Sequence, residues 1–110
     1  MILDTSVVID RVKKGKEITE NITSITLIEY PPIASYKKFF GNVYFVSEED
    51  QILAVSLQIK LRRIGMPMSA SDLLIAAVCI RTGELFMTYD EDFLSIRKVW
   101  PSFQVILMRP

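Results

Sequence analysis

The sequence predicts an α/β fold, a parallel sheet covered by helices on both faces, in a single domain spanning residues 1–110. Three observations predict it. Short β-branched or aromatic segments alternate with segments of helical periodicity along the whole chain, the pattern of strands joined by crossover helices. Two of the helical segments are apolar around much of their circumference, as helices packed on a sheet require. At 110 residues the chain is long enough for one sizeable core and too short for two.

The elements follow in order. Ile2 and Leu3 begin a short buried strand, and Thr5 to about Lys14 reads as a helix stopped at Gly15. Asn21 to Thr26 is short and β-branched, a second strand. Leu27 to Phe40 is helical but interrupted by Pro31-Pro32, a pair tolerated only in a first turn or at a break. Val43 to Ser47 is a third strand. Glu48 to Ile64 is the clearest helix, with Glu48, Glu49 and Asp50 at its start and Lys60, Arg62 and Arg63 at its end, matching the macrodipole. Leu53, Leu57, Leu61 and Ile64 recur at helical spacing, and Ile52, Val55 and Ile59 form a second stripe beside them. "SASDLLIAAVCIRTG" has a serine cap, stops at Gly83 and is apolar on nearly every face, so it is expected to be buried. "ELFMTY" supplies a fourth strand, "DEDFLSIRKV" a short helix and "FQVILM" a fifth strand.

Composition narrows the chemistry. Half the residues are hydrophobic and a quarter charged, and no apolar run reaches the ~18 residues of a membrane span. No cationic segment followed by an apolar stretch opens the chain, and Cys79 is the only cysteine, so a cytoplasmic location is expected. The formal net charge is zero, which gives no overall attraction for a polyanion. There is no histidine, which excludes Ser-His-Asp and Cys-His nucleophiles, imidazole bases and histidine zinc sites. Hydrolytic chemistry here has to rest on carboxylates, hydroxyls, amines and a metal.

In open α/β sheets, ligands gather at the carboxyl ends of the strands. That rule sorts twelve of the thirteen acidic residues. Glu48, Glu49 and Asp50 start a solvated helix, Glu17 and Glu20 sit in a polar loop, and Asp10 and Glu84 have surface or turn positions. Four addresses are different: Asp4 ends strand one, Glu29 follows strand two in the apolar "ITLIEY", Asp72 opens the buried helix, and Asp90 ends strand four with Asp92 two residues on. Each has an ordinary explanation. Asp4 can cap a helix, Asp72 stands three after Ser69 as in a capping box, Glu29 can be an exposed helical residue, and Asp90 and Asp92 can form a turn. Four such explanations at one edge of one sheet are less economical than one site. Crowded carboxylates repel, and a cation relieves them; hard oxygen donors without histidine select Mg²⁺ or Mn²⁺, which brings phosphoryl chemistry.

"LDTSVVID", "ITLIEY", "SASDLLIAAVCIRTG" and "FMTYDEDF", in that order, resemble the motif set of PIN domains, in particular the VapC-type toxin ribonucleases. The resemblance runs from Ile2 to about Ile96. It implies a three-layer α/β/α fold with a five-stranded parallel sheet in the order 3-2-1-4-5. It implies a Mg²⁺- or Mn²⁺-dependent endoribonuclease, the toxin of a type II toxin–antitoxin pair, with an RNA substrate, a cognate antitoxin and a homodimeric state. Carried over by position, the acids are Asp4, Glu29, Asp72 and Asp90, with Asp92 as an additional acid. Asp4, Asp72, Asp90 and Asp92 would hold metal, and Glu29 would handle the attacking water. Ser6 and Thr88 match supporting hydroxyl positions. The span between the first two acids is short and "EYPPI" breaks the helix after the second, so the shape of the RNA groove departs from the family pattern.

Lys13, Lys14 and Lys16, Lys37 and Lys38, and Arg97 and Lys98 are the candidate phosphate contacts. A receiver-type phosphoacceptor domain would need an aspartate closing strand three and a lysine closing strand five; the chain has Ser47-Glu48 and Met108-Arg109 there. A PIN-like protein-interaction module with little or no nuclease activity is the alternative that composition leaves open. The double stripe on the Glu48–Ile64 helix and the aromatic run "YPPIASYKKFF" carry more large apolar side chains than so small a core absorbs, so a two-fold homodimer is expected through Tyr36, Phe40, Leu53 and Leu57.

Overall fold

In a computed structural model that describes residues 1–110, strands and helices alternate as β1 (Ile2–Leu3), α1 (Thr5–Lys13), β2 (Ile22–Thr23), α2 (Ser24–Glu29), β3 (Val43–Tyr44), α3 (Glu48–Arg63), α4 (Ala70–Thr82), β4 (Phe86–Thr88) and β5 (Val105–Leu107). Two 3₁₀ segments, Pro31–Ser35 and Glu91–Lys98, follow α2 and β4. All strand pairs are parallel.

The strands form two ladders, β1-β4-β5 and β2-β3, where one continuous five-stranded sheet was expected. They meet at a single bridge between Ile2 and Asn21, made by Leu3 N–H to the Asn21 carbonyl (2.9 Å) and Asn21 N–H to the Met1 carbonyl (2.8 Å). The order across the bridge is therefore 3-2-1-4-5, with a break where two-residue strands are too short to continue the ladder. Asn21 also spends its side chain locally, donating to Glu84 (2.6 Å) and accepting from Asn42 N–H (2.9 Å).

Alternation along β1 produces the layering, because successive strand residues face opposite sides. Ile2 joins the larger core under α3 and α4, with Leu57, Leu61, Ala76, Phe86, Phe93 and Phe103. Leu3 joins the smaller core under α1, with Val7, Val8, Ile18, Ile22 and Ile33. Phe86 and Phe93 meet edge to face at 4.7 Å between ring centroids.

Several boundaries move. The expected strand over Asn21–Thr26 stops at Thr23, and Ser24 to Thr26 turn into α2 despite the β-branched Ile25 and Thr26. Tertiary tethers override that preference: Ser24 Oγ accepts from Val46 N–H (3.1 Å) and Thr26 bonds Thr5 (2.9 Å). The break expected at Pro31-Pro32 is present: α2 ends at Glu29, because Pro31 has no N–H to continue it, and the prolines start a 3₁₀ turn that stops at Ser35, short of Phe40. β3 is two residues long, not five. α4 ends as its sequence predicts, with Gly83 in the left-handed region at φ 69°. Gly41 is required by space: a Cβ there would overlap the Glu20 carbonyl.

Two side-chain expectations are corrected. Asp50 is not solvated but fully buried, closing a capping box with Ser47 (2.8 and 3.2 Å) and pairing with Arg81 of α4 (2.6 Å). On α3, Leu57 and Leu61 are fully buried and offer no surface to a subunit interface, while Leu53 packs against the core and is only partly exposed. The stripe left outside is Ile52, Val55 and Ile59, 64%, 60% and 48% exposed. Tyr36 is likewise tied inward, its hydroxyl donating to the Lys16 carbonyl (2.7 Å), whereas Phe40 is exposed.

Candidate active site

β1 ends at Leu3, and its register against β4 pairs Leu3 with Met87, so the next residue of each strand, Asp4 and Thr88, emerge side by side. Asp4 then caps α1. Its Oδ1 accepts from Thr5 N–H (2.9 Å) and its Oδ2 from the Thr88 hydroxyl (2.7 Å). The carboxylate is thus both a cap and a member of a larger cluster. It is 8% exposed and pairs with no cation. Burial pushes its carboxyl above the ordinary value, the Thr88 and Thr5 hydrogen bonds pull back, and the charges of Asp72 and Glu29 add to the rise.

Thr88 is fully buried and also accepts from Asp90 N–H (2.9 Å), so one hydroxyl orients Asp4 and anchors the start of the Asp90 turn. Asp90 Oδ1 accepts from Asp92 N–H (2.9 Å). Asp72 lies in the first turn of α4, where its N–H donates to Ser69 Oγ (3.2 Å). The box is only half made: no return bond from the Asp72 carboxylate to Ser69 N–H is present, unlike the complete box at Ser47 and Asp50. Burial raises the Asp72 carboxyl; the Ser69 hydroxyl opposes this, and the charges of Asp90, Glu29 and Asp92 raise it further. Glu29, the last residue of α2, is exposed, and its Oε1 accepts from the Thr5 hydroxyl (2.7 Å).

The five acids therefore share one field. Asp4 feels Asp72 and Glu29; Asp72 feels Glu29, Asp90 and Asp92. None has a cationic partner, whereas Asp10, Glu20, Asp50 and Glu84 pair with Lys14, Arg11, Arg81 and the terminal amine. Glu17, Glu48, Glu49 and Glu91 are unpaired as well but exposed; what sets this group apart is that its uncompensated members include the buried Asp4 and the half-buried Asp72. They do not close into a ready-made cage: no three acidic side chains lie close enough to hold an ion between them. An open cleft of about 490 Å³ adjoins the cluster, lined by Asp72, Asp92, Ser69, Ser95 and the methionines 66 and 68.

The donor set fits Mg²⁺ or Mn²⁺ on these observations. A buried carboxylate lacks a counter-charge, all nearby donors are hard oxygens, and Mg²⁺ is commonly held by one or two carboxylates with the rest of its shell water. A closed cage is not needed for that mode.

Of the two hydroxyls matched to supporting positions, Thr88 bonds Asp4, whereas Ser6 is exposed and has no hydrogen bond to it. Two residues the sequence reading passed over are connected instead: Thr5 bonds Glu29 directly and Thr26 through Thr5. A signal was present. Thr26 and Glu29 are three apart on a helix and share a face, and Thr5 follows Asp4 directly.

The basic residues fall elsewhere. Lys38 Nζ donates to the Gly15 carbonyl (2.8 Å), bringing Lys37 and Lys38 beside Lys13, Lys14 and Lys16 at the C-terminal end of α1. Asp4 caps the other end of that nine-residue helix, about 13 Å away. Lys14 is engaged with Asp10 (3.1 Å). Arg97 and Lys98 are exposed at the end of the second 3₁₀ segment.

No family model matches the sequence, and no curated protein sequence matches it. Solved structures do match the fold. A chain of VapBC2 from Rickettsia felis, bound to a DNA fragment from the promoter, aligns with a TM-score of 0.75 at 19% identity, covering 96% of each chain. A chain of VapBC-1 from nontypeable Haemophilus influenzae aligns at 0.71 and 17%, again over 96% of each. A toxin–antitoxin complex from Klebsiella pneumoniae gives 0.67 and 17%, over 96% of this chain and 94% of that one. The fold is therefore an α/β fold of the PIN type. More particularly, it is the fold found in VapBC toxin–antitoxin assemblies, matched along nearly the whole chain.

Proposed function

We propose that this chain is a Mg²⁺- or Mn²⁺-dependent endoribonuclease, the toxin of a type II toxin–antitoxin pair. One observation carries the reading: five acids without cationic partners at the carboxyl edge of the sheet, one of them buried. Asp4, Asp72 and Asp90 would hold the metal, with Asp92 assisting. The bound ion supplies charge neutralisation for the phosphoryl oxygens and the leaving oxygen. Thr88 holds the Asp4 rotamer through its hydrogen bond. Glu29, whose Oε1 is occupied by Thr5, uses Oε2 to orient the attacking water and take its proton. RNA phosphates beyond the scissile one fit the basic group at the end of α1, Lys13, Lys16, Lys37 and Lys38, and Arg97 with Lys98.

The VapBC and toxin–antitoxin assemblies of the same fold support an antitoxin as partner; the exposed Ile52, Val55 and Ile59, with Phe40 also exposed, suit a second copy of this chain. No helix is long and apolar enough to cross a membrane, and we place the protein in the cytoplasm. Cleavage of single-stranded RNA, dependent on Mn²⁺ or Mg²⁺ and stopped by chelator, by Asp4→Asn and by Asp72→Asn, tests the reading. A second reading, a PIN-like interaction module with little or no nuclease activity, is favoured by the open arrangement of the acids. Robust folding without any metal-dependent cleavage would select it.

A further inference from the structure

We infer that Thr5 and Thr26 are positioning residues for Glu29, an ordered pair of hydroxyls that sets where its carboxylate stands relative to Asp4. The inference rests on the proposed role of Glu29 in handling water and deepens it.

The chain of bonds has a direction. An ionised carboxylate only accepts, so the Thr5 hydroxyl proton goes to Glu29 Oε1, at 2.7 Å. Thr5 Oγ1 is then free only as an acceptor, and Thr26 Oγ1, 2.9 Å away, is its donor. Donation runs Thr26 to Thr5 to Glu29, each bond polarising the next. Thr26 is fully buried and Thr5 is 8% exposed, so the pair is shielded from solvent that would otherwise compete for those bonds. Thr5 also donates its N–H to Asp4 Oδ1 (2.9 Å), so one residue binds both acids and fixes the distance between them.

Glu29 needs such support. It is exposed, on a long flexible side chain, at the end of a helix of six residues that Pro31 prevents from continuing. So short a helix has little stability of its own, and its place depends on tethers. Two are present: Ser24 Oγ to Val46 N–H (3.1 Å) at its start and Thr26 to Thr5 in its middle. Threonine suits the second because β-branching restricts the rotamer that aims its hydroxyl.

The rival explanation is that the two threonines merely pin α1 to α2. A double-mutant cycle separates them. Thr5→Val and Thr26→Val replace a hydroxyl by a methyl of the same shape, and each is made alone and together with Glu29→Gln. We expect Thr5→Val to lower kcat for RNA cleavage by about tenfold, the value of one charge-assisted hydrogen bond, with KM little changed. Thr26→Val lowers kcat in the same direction by less. In the Glu29→Gln background neither costs more than about twofold, because the group they position is already lost. Thr5→Ser and Thr26→Ser recover most of the rate, and the Mn²⁺-induced rise in melting temperature persists in all, since the cap on Asp4 is a backbone bond. Equal losses in both backgrounds, or no loss in a well-folded Thr5→Val protein, overturn the inference alone. A Glu29→Gln protein that cleaves at the wild-type rate, or a wild type without metal-dependent cleavage, overturns the role of Glu29 and the inference with it.

Discussion

Adding Mn²⁺ or Mg²⁺ to the metal-free protein should raise its melting temperature, and Asp4→Asn should abolish that rise. The reasoning starts from Asp4 and Asp72, whose carboxyls are raised above the ordinary 3.8 by burial first and by their acidic neighbours in addition. A raised carboxyl contributes stability that is complete below its unfolded value and is lost as pH rises through its folded value. At neutral pH the metal-free protein therefore bears the cost of ionising both. An ion that binds only the folded state removes that cost by mass action. At ten times its dissociation constant it contributes about 1.4 kcal/mol. For a chain of this size, that is a rise of about 5 to 10 °C. The rise should grow with pH as the acids ionise. Asparagine keeps an acceptor for Thr5 N–H, so Asp4→Asn preserves the cap while removing the charge; without metal, its stability relative to wild type should improve as pH rises. Thermal melts at about pH 5, 6, 7 and 8, with and without each ion, measure all of this. A wild-type melt indifferent to both ions at about pH 6 to 8, or an Asp4→Asn protein with an undiminished shift, would refute the reasoning.

Arg81→Ala leaves the buried Asp50 charge with Ser47 alone, and we expect a loss of about 2–3 kcal/mol by urea unfolding. Because hydrogen bonds from Arg81 and Ser47 outweigh burial and hold Asp50 below its ordinary value, that stability is present above 3.8 and lost as pH falls through the folded value; the wild-type advantage should shrink in acid. In sedimentation at micromolar concentration the protein should run as a dimer that Val55→Glu or Ile52→Glu splits, and a clean 12.6 kDa monomer would exclude the α3 interface. Leu57→Ala should instead cost about 2–5 kcal/mol of folding stability, because it opens a cavity in the larger core. Replacing Lys13, Lys16 and Lys37 by glutamate should weaken RNA binding and flatten its salt dependence, with the Mn²⁺-dependent melt unchanged.

The addresses of the candidate acids were legible because each lies at the end of an element, Asp4 and Asp90 after strands, Asp72 at the start of α4, which follows α3, and Glu29 at the close of α2. Asp4 after Ile2-Leu3, Asp72 after a serine cap and Asp90 after "FMT" are local patterns, and a parallel α/β arrangement brings such positions to one edge without knowledge of any contact. Glu29 was legible as an oddity in an apolar segment, but its anchoring was not, since Thr5 and Thr26 become neighbours only when α1 and α2 pack. Asp50 was misjudged for the same reason. Three acids at a helix start read alike, and only the approach of Arg81 from α4 buries the third.

The sequence by itself determined the order of elements, the caps and stops of α3 and α4, the absence of imidazole chemistry and the addresses of the acids. All of these are written in neighbouring residues or in period. Tertiary structure alone decided which stripe of α3 faces inward, because Leu53-Leu57-Leu61 and Ile52-Val55-Ile59 are equally apolar and the rotation of the helix is set by α4 and the sheet. It also decided that β1 and β2 meet at one bridge, that the two lysine groups merge at the far end of α1, and that the five acids share one field without forming a cage. Those outcomes depend on distances between residues remote in the chain, which no local pattern encodes.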